Sequence, residues 1–446
     1  MISVNYDVLL LSYAEIGIKG RNRYKFEDRM ERVLQHVLEH AGRPWPVERR
    51  HRRMQVLIPE KASPDEVEEV IAVIRRLAGF VRIYPAIRVM RNGRGNAGGG
   101  KRDRSDAAQL QAIGERLLTL AVETHEPHAR FAVRAERRDR GFGITSEEME
   151  RYLGREIIEH TPWESVQLKN PDVTYKVDVY PDCVYLSMEG LRGVGGLPVG
   201  MSGRVVSLLS GGLDSPVAAY LMAKRGCEVD MVHMCSSDPR NRDDPQVRKI
   251  LHIAEHTSRY TLRSELFMLP YAPFDMELFG FKTNYQVVIF RRFLLRLASH
   301  IARARGIQAL CLGESLAQVA SQTYENLVTI SHAVDDTIFR PLITYDKSEI
   351  VELARRIGTF DLSTIPDKDC CALIQANPRT KSTAKTVERI EARVLPDMEG
   401  LIERTLAEGV VVRLDTGEIV DFDTDVKAAL ERPPFRVPDN WAGAGR

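Results

Sequence analysis

The residues best suited to chemistry form one short string, Ser210-Gly211-Gly212-Leu213-Asp214-Ser215, set between an apolar run and a helical pattern. Strand, glycine-rich turn and helix together make a phosphate-binding geometry. Glycines let backbone N–H groups approach an anion, and the new helix offers unpaired N–H groups and the positive end of its dipole. Ser210 and Ser215 add hydroxyl donors, and Ser215 is expected to cap a helix whose first residue is Pro216. Asp214 makes chemical sense beside phosphates as a carboxylate that orients Mg²⁺. The string has neither the lysine of Gly-x-x-x-x-Gly-Lys-Ser/Thr nor the spacing of Gly-x-Gly-x-x-Gly. On pattern alone, the glycine pair also fits a plain capped turn.

Sulfur is the second chemical resource. Six cysteines spread over 446 residues do not make a disulfide framework and suit a reducing compartment. Cys183, Cys227, Cys235 and Cys311 lie in or beside expected strands and read as small apolar filler. Cys370-Cys371 is not Cys-x-x-Cys and has no second pair, so no zinc site is expected and no metal among cysteines or histidines. Positive charge is local, because the formal net charge is only +1. Arg49, Arg50, Arg52 and Arg53 form one cluster, and Arg130, Arg134, Arg137, Arg138 and Arg140 another. Such clusters neutralise nucleic-acid phosphates, although either alone also fits a solvated charged face.

Periodicity indicates what must hold these residues. Val8–Leu11 and Met54–Ile58 read as strands, and Tyr24–Glu39 and the residues from Pro64 to Leu77 as helices, the second capped by Ser63. That order suits a small α+β unit of ferredoxin-like type. Asn92–Ser105, rich in glycine and charge, is expected as a mobile loop before a helix over Asp106–Val122. Phe131–Arg134, a helix over Glu147–Ile157 and strands at Thr174–Val179 and Val184–Met188 give a second α+β module. The glycine-rich Gly193–Gly203 is the expected domain boundary. Beyond it, apolar strands at Val205–Leu209, Glu228–His233 and Ala309–Leu312 alternate with helices at Pro216–Arg225, Gln246–His256, Asn284–Arg305 and Ser348–Ile357. Strands apolar on both faces predict a parallel sheet covered by helices on each side. From about Val387 the pattern is helical, with a hairpin signal at Asp415-Thr416-Gly417. No signal peptide and no stretch of ~20 apolar residues is present, which sets the expectation of a cytoplasmic protein.

The string Ser-Gly-Gly-Leu-Asp-Ser resembles the signature of the PP-loop ATP pyrophosphatases, which split ATP into AMP and pyrophosphate while adenylating a substrate oxygen. Further segments resemble one branch, the tRNA uridine 4-sulfurtransferase (4-thiouridine synthetase) family. They are Glu15–Gly20, Gly195–Gly200, Gly313-Glu314-Ser315 with Gln318–Thr323, Arg340–Ile343 with Asp346-Lys347, and Asp369-Cys370-Cys371 before Asn377–Thr380. The resemblance spans about residues 1 to 385. It implies a ferredoxin-like domain over 1–72, an RNA-gripping THUMP domain over 73–190, a PP-loop catalytic domain over 191–385 and a tail over 386–446. For ATP, taken with Mg²⁺, it implies Leu208, Leu209, Ser210, Gly211, Gly212, Asp214, Ser215, His233, Met234, Arg291, Gly313 and Gln322. From the residues alone, Arg291 also fits a helix surface, His233 a satisfied core histidine, and Lys347 an exposed lysine before its helix. By resemblance Lys347 neutralises charge on the departing pyrophosphate, and Cys370 is the catalytic cysteine, with Cys371 the lesser choice.

Turning a uracil carbonyl into a thiocarbonyl requires a leaving group at O4, which adenylation supplies, and a sulfur nucleophile at C4, which a cysteine persulfide supplies. Longer family members carry a rhodanese domain with a second cysteine. No cysteine follows Cys371, so the expectation is a short form served by a separate cysteine desulfurase or rhodanese, with Cys371 or an external thiol resetting Cys370. The resemblance also implies a tRNA partner and a homodimer, with no iron–sulfur cluster or tightly bound metal. Two competing readings are a PP-loop enzyme forming an amide or amidine on another substrate, and an RNA-binding protein with a vestigial ATP site.

Overall fold

The computed structural model describes residues 4–13, 15–18, 20–91, 99–139, 141–281, 283–366, 374 and 379–438. The chain divides into two compact units, one up to Gly196 and one from Leu197.

The first unit is built on one sheet of eight strands. These are β1 (Val8–Ser12), β2 (Val47–Arg50), β3 (Arg53–Leu57), β4 (Arg82–Met90), β5 (Phe131–Arg137), β6 (Val173–Val179), β7 (Cys183–Ser187) and β8 (Leu191–Arg192). Their order is β2-β3-β1-β4-β7-β6-β5, with β8 also beside β4. Only β5 and β6 pair in parallel. The helices Arg23–His40 and Pro64–Ile74 bury apolar stripes, among them Met30, Val33, Leu34, Val37 and Val67, Val70, Ile71, Ile74. Ser63 caps the second helix in a capping box with Glu66. The expected boundary at residue 72 therefore falls inside a helix. Beyond β4, the helices Gly99–Glu123 and Ser146–His160 pack with the sheet around Phe131, Trp163 and Tyr175. The helix expected from Asp106 begins at Gly99, so the end of the expected mobile loop is helical. Lys101 to Ser105 hold no proline, and the helix that follows propagates back through them.

The second unit carries the parallel sheet. Its strands are β9 (Arg204–Leu208), β10 (Glu228–Cys235), β11 (Ser264–Pro270), β12 (Ala309–Cys311), β13 (Thr337–Phe339), β14 (Val410–Asp415) and β15 (Glu418–Asp425). The order is β13-β12-β9-β10-β11-β14-β15. The first five are parallel, and β14 and β15 add antiparallel at one edge. Every residue of β11 is buried, as a sheet covered on both faces requires. From β9 the chain winds outward through β10 and β11, then returns to place β12 on the other side of β9. That reversal opens a crevice at the carboxyl ends of β9 and β12, where open α/β sheets bind ligands. The residues read from sequence as a tail belong to this unit. Val387, Val394, Leu401, Val411 and Val426 share a buried cluster with Phe290, Phe293 and Leu310.

Candidate active site

β9 ends at Leu208 and the next helix starts at Asp214, leaving Leu209–Leu213 as the turn. The helix cap is Leu213, and it makes no side-chain capping bond. Ser215 is therefore not the cap expected from the sequence. It lies in the first helical turn, where its Oγ accepts from the Ser210 N–H at 2.8 Å and donates to the Ser210 carbonyl at 3.2 Å. The Gly212 N–H donates to Ser210 Oγ at 3.3 Å. The serines thus staple the loop to the helix. The helix start, without a side-chain cap, presents backbone N–H groups and a positive dipole end to an anion.

Asp214 stands at that helix start with both carboxylate oxygens engaged. Lys347 Nζ reaches Oδ1 at 2.7 Å and Gln318 Nε2 donates to Oδ2 at 2.9 Å. Lys347 opens the helix Lys347–Ile357, capped by Asp346 in a capping box with Glu349. Gln318 follows Ala317, which holds a left-handed φ of 61°. Such a conformation costs a non-glycine residue about 1 kcal/mol or more. Gly313, two residues beyond β12, runs against the same helix start. A Cβ there would lie 2.8 Å from the Asp214 carbonyl carbon and from the Ser215 nitrogen, so only glycine fits.

A cavity of about 280 Å³ opens in the crevice between β9 and β12. Of the residues expected to meet ATP, Leu208, Leu209, Ser210, Gly212, Asp214, Ser215, His233, Met234, Arg291, Gly313 and Gln322 line it, and Gly211 does not. His233 at the end of β10 is buried, and its Nδ1 donates to the Leu209 carbonyl at 2.9 Å. It is both a satisfied core histidine and part of the cavity wall. Arg291, on the helix Gln286–Ala304, turns inward to Glu314 at 2.5 Å and Ser321 Oγ at 3.2 Å. Phe290, Leu294, Leu295 and Ile330 supply an apolar wall suited to a flat ring. Gln322 is buried, and its Oε1 has no hydrogen-bond partner within the chain. The sequence reading missed the roles of Glu314, Gln318, Ser321 and Arg340. Their signal was present as polar residues inside the segments Gly313–Thr323 and Arg340–Ile343, but their partners are remote in the chain.

Cys370 and Cys371 lie outside the described residues. After them, Arg379 donates its N–H to the Asn284 carbonyl at 2.9 Å, and Thr323 Oγ1 donates to the Thr380 carbonyl at 2.6 Å, one residue from Gln322. The other four cysteines are free and buried. Burial pushes the Cys311 thiol up to about 12 and raises those of Cys183, Cys227 and Cys235, so none is a ready nucleophile at neutral pH. His51, Asp182 and Cys183 gather donor atoms within 4.8 Å of one another, but Arg50 pairs with the same carboxylate and opposes a cation there.

The arginine clusters are in part committed internally. Arg49 pairs with Asp28 and Glu31, Arg50 with Asp182, and Arg53 with Asp178 at 3.1 Å. Arg137 donates to the Phe142 carbonyl at 2.8 Å and the Ile144 carbonyl at 3.4 Å. Arg134 reaches the Leu168 carbonyl and Arg130 pairs with Asp172. Arg52 is exposed, Arg138 pairs with Glu136 at 2.6 Å, and Arg140 lies outside the described residues.

Comparison with known proteins gives matches along most of the chain. Residues 8–83 match the ThiI ferredoxin-like domain, 107–189 the THUMP domain, and 200–395 the ThiI model described as thiamine biosynthesis protein. A probable tRNA sulfurtransferase of Streptococcus suis is 31% identical over 424 residues, covering 95% of this chain and 98% of that one. Another, from Enterococcus faecalis, is 33% identical over 418 residues, covering 92% and 95%. The fold is similar to the crystal structure of a 4-thiouridine synthetase–RNA complex with bound ATP. The TM-score is 0.76 at 29% identity, covering 92% of this chain and all of that one. Among the described residues, no helix is long and apolar enough to cross a membrane. Identity at this level over nearly the whole length, with a phosphate loop built as the motif requires, means that the chain belongs to the tRNA sulfurtransferase (ThiI) family.

Proposed function

We propose that this chain uses ATP to convert the uridine at position eight of tRNA to 4-thiouridine, in the cytoplasm. One observation carries the reading: the helix start at Asp214, with no side-chain cap, lines a cavity that also has an apolar wall and polar groups. In the mechanism, O4 of the uracil attacks the α-phosphorus of ATP and pyrophosphate departs. The backbone N–H groups of the loop and the helix dipole bind the phosphates, and Lys347 neutralises charge on the leaving group. Asp214 and its surroundings fit Mg²⁺, because Lys347 is half exposed and can leave the carboxylate for the phosphates. When bound, Mg²⁺ supplies charge neutralisation between the phosphates. The terminal sulfur of a Cys370 persulfide then attacks C4, expelling AMP. Cys371 or an external thiol then attacks Cys370 Sγ and breaks its bond to the C4-bound sulfur. That sulfur leaves as 4-thiouridine, while the attacking thiol and Cys370 form a disulfide. A cysteine desulfurase or separate rhodanese supplies the sulfur, tRNA is held by the THUMP-containing unit, and a second copy of the chain completes a homodimer.

The test is mass spectrometry of nucleosides from tRNA incubated with the protein, ATP, cysteine and a desulfurase. The expected result is 4-thiouridine with the native chain, none with Cys370→Ser, and retained ATP–pyrophosphate exchange in that variant. Full thiolation by Cys370→Ser would remove Cys370 from the mechanism. Amide or amidine products without thiolation would select a different PP-loop chemistry.

A further inference from the structure

Beside Arg291, on the wall of the same cavity, sits a carboxylate that the mechanism does not use. Glu314 is 1% exposed and directly follows Gly313 at the carboxyl end of β12. Its Oε1 accepts from Arg291 Nη2 at 2.5 Å, and its Oε2 accepts from Arg340 Nε. Arg340 is anchored in turn by donating from Nη2 to Ser331 Oγ at 2.7 Å. Arg291 also donates to Ser321 Oγ at 3.2 Å. A buried carboxylate is costly unless both oxygens are paired, and here both are. Two guanidiniums against one carboxylate leave one net positive charge, and Arg291 is the arm that lines the cavity. Without the clamp, a long side chain on a helix would spread over many rotamers, and ordering it would cost the ligand affinity.

We infer that Glu314 is a positioning residue for the nucleotide site: it fixes the Arg291 guanidinium at the cavity wall, with Arg340 as the far end of the clamp. This rests on the reading of the cavity as the ATP site. A carboxylate that only held the fold would alter stability without acting through Arg291.

The experiment is a calorimetric measurement of binding of the magnesium complex of a non-hydrolysable ATP analogue. It uses the full chain as native protein, Glu314→Gln, Arg291→Lys and the double variant, with thermal unfolding recorded for each. Glu314→Gln is expected to raise Kd about tenfold or more. That factor is expected to disappear when Arg291 is already lysine, because groups acting as a unit are not additive. The same factor on both backgrounds, or none on either, overturns the inference. Should Glu314→Gln fail to fold, Arg340→Lys takes its place, and unchanged binding in that variant overturns the inference too. Failure of the native chain to bind the analogue removes the ATP reading itself and the inference with it. Native binding that is indifferent to Glu314→Gln removes only the role given to Glu314.

Discussion

Glu391 is an acid enclosed by bases. Arg292 and Arg296 each donate twice to its carboxylate, at 2.8 to 3.1 Å, and Arg292 is 1% exposed. Burial alone would raise its pKa, but the Arg296 and Arg292 guanidiniums outweigh it and hold the group below the usual carboxylate range. A depressed folded-state pKa gives stability that is present above the unfolded value of about 4.3 and lost as pH falls through the folded one. Glu391→Gln is expected to destabilise the protein by about 3–5 kcal/mol at pH 7, because it leaves the buried Arg292 guanidinium, and the partly exposed Arg296 beside it, without their shared counter-charge. In urea unfolding against pH, the gap between native and variant should close below about pH 4, and a constant gap down to pH 3 would contradict this. Gly313 is bound by sterics instead. In Gly313→Ala the new Cβ must displace backbone at Asp214 and Ser215, since no flexible side-chain end is there to yield. ATP–pyrophosphate exchange with tRNA present is expected to fall on the order of a hundredfold, as misplaced catalytic groups do. Exchange at the native rate would show that the loop tolerates the shift.

At the scale of elements, legibility followed locality. The phosphate loop could be read because strand, turn and helix start are contiguous. Ser215 was misjudged because Pro216 at a first helical position is a strong signal, and the helix in fact starts two residues earlier. β4 went unread since Pro85 inside Arg82–Met90 argues against a central strand. It is tolerated because Pro85 falls where the partner β8 has ended, at Ile83, and β7 begins, at Ala86. Glu314, Gln318 and Arg340 stand inside segments that the sequence singles out, but their roles arise only when the sheet reverses direction between β9 and β12 and brings them to partners remote in the chain. The hairpin signal at Asp415-Thr416-Gly417 joins β14 to β15, with φ of 50° at Thr416 and 101° at Gly417. Two positive φ values mark the twisted turn that hairpins favour, and a β-branched residue suits the first position poorly. Thr416→Asn is therefore expected to stabilise the protein by about 1 kcal/mol. A lowered melting temperature would mean that the Thr416 hydroxyl, 2.8 Å from Asp415, matters more than the backbone.

At the scale of the whole molecule, composition misleads about which arginines can serve RNA. Arg137 is committed to the carbonyls of Phe142 and Ile144. Arg137→Ala should cost about 1–3 kcal/mol in unfolding, through acceptors left unpaired. Arg52 is exposed at the β2–β3 turn. Arg52→Ala should leave the melting temperature unchanged while weakening tRNA binding and reducing the salt slope by about one unit. An unchanged slope would place the RNA contact elsewhere on the first unit.

The shared position of β4 has a consequence for how the first unit comes apart. Nearly all of this strand lies between the segments matched as ferredoxin-like and THUMP, yet it pairs with β1 on one side and β7 on the other. Neither segment keeps a closed sheet without it. A fragment cut on either side would expose a buried central strand as a raw edge, ready to recruit another chain. Local opening should therefore spread through both segments as one cooperative block in amide exchange. Matched by two family models, they are expected to open as a single foldon.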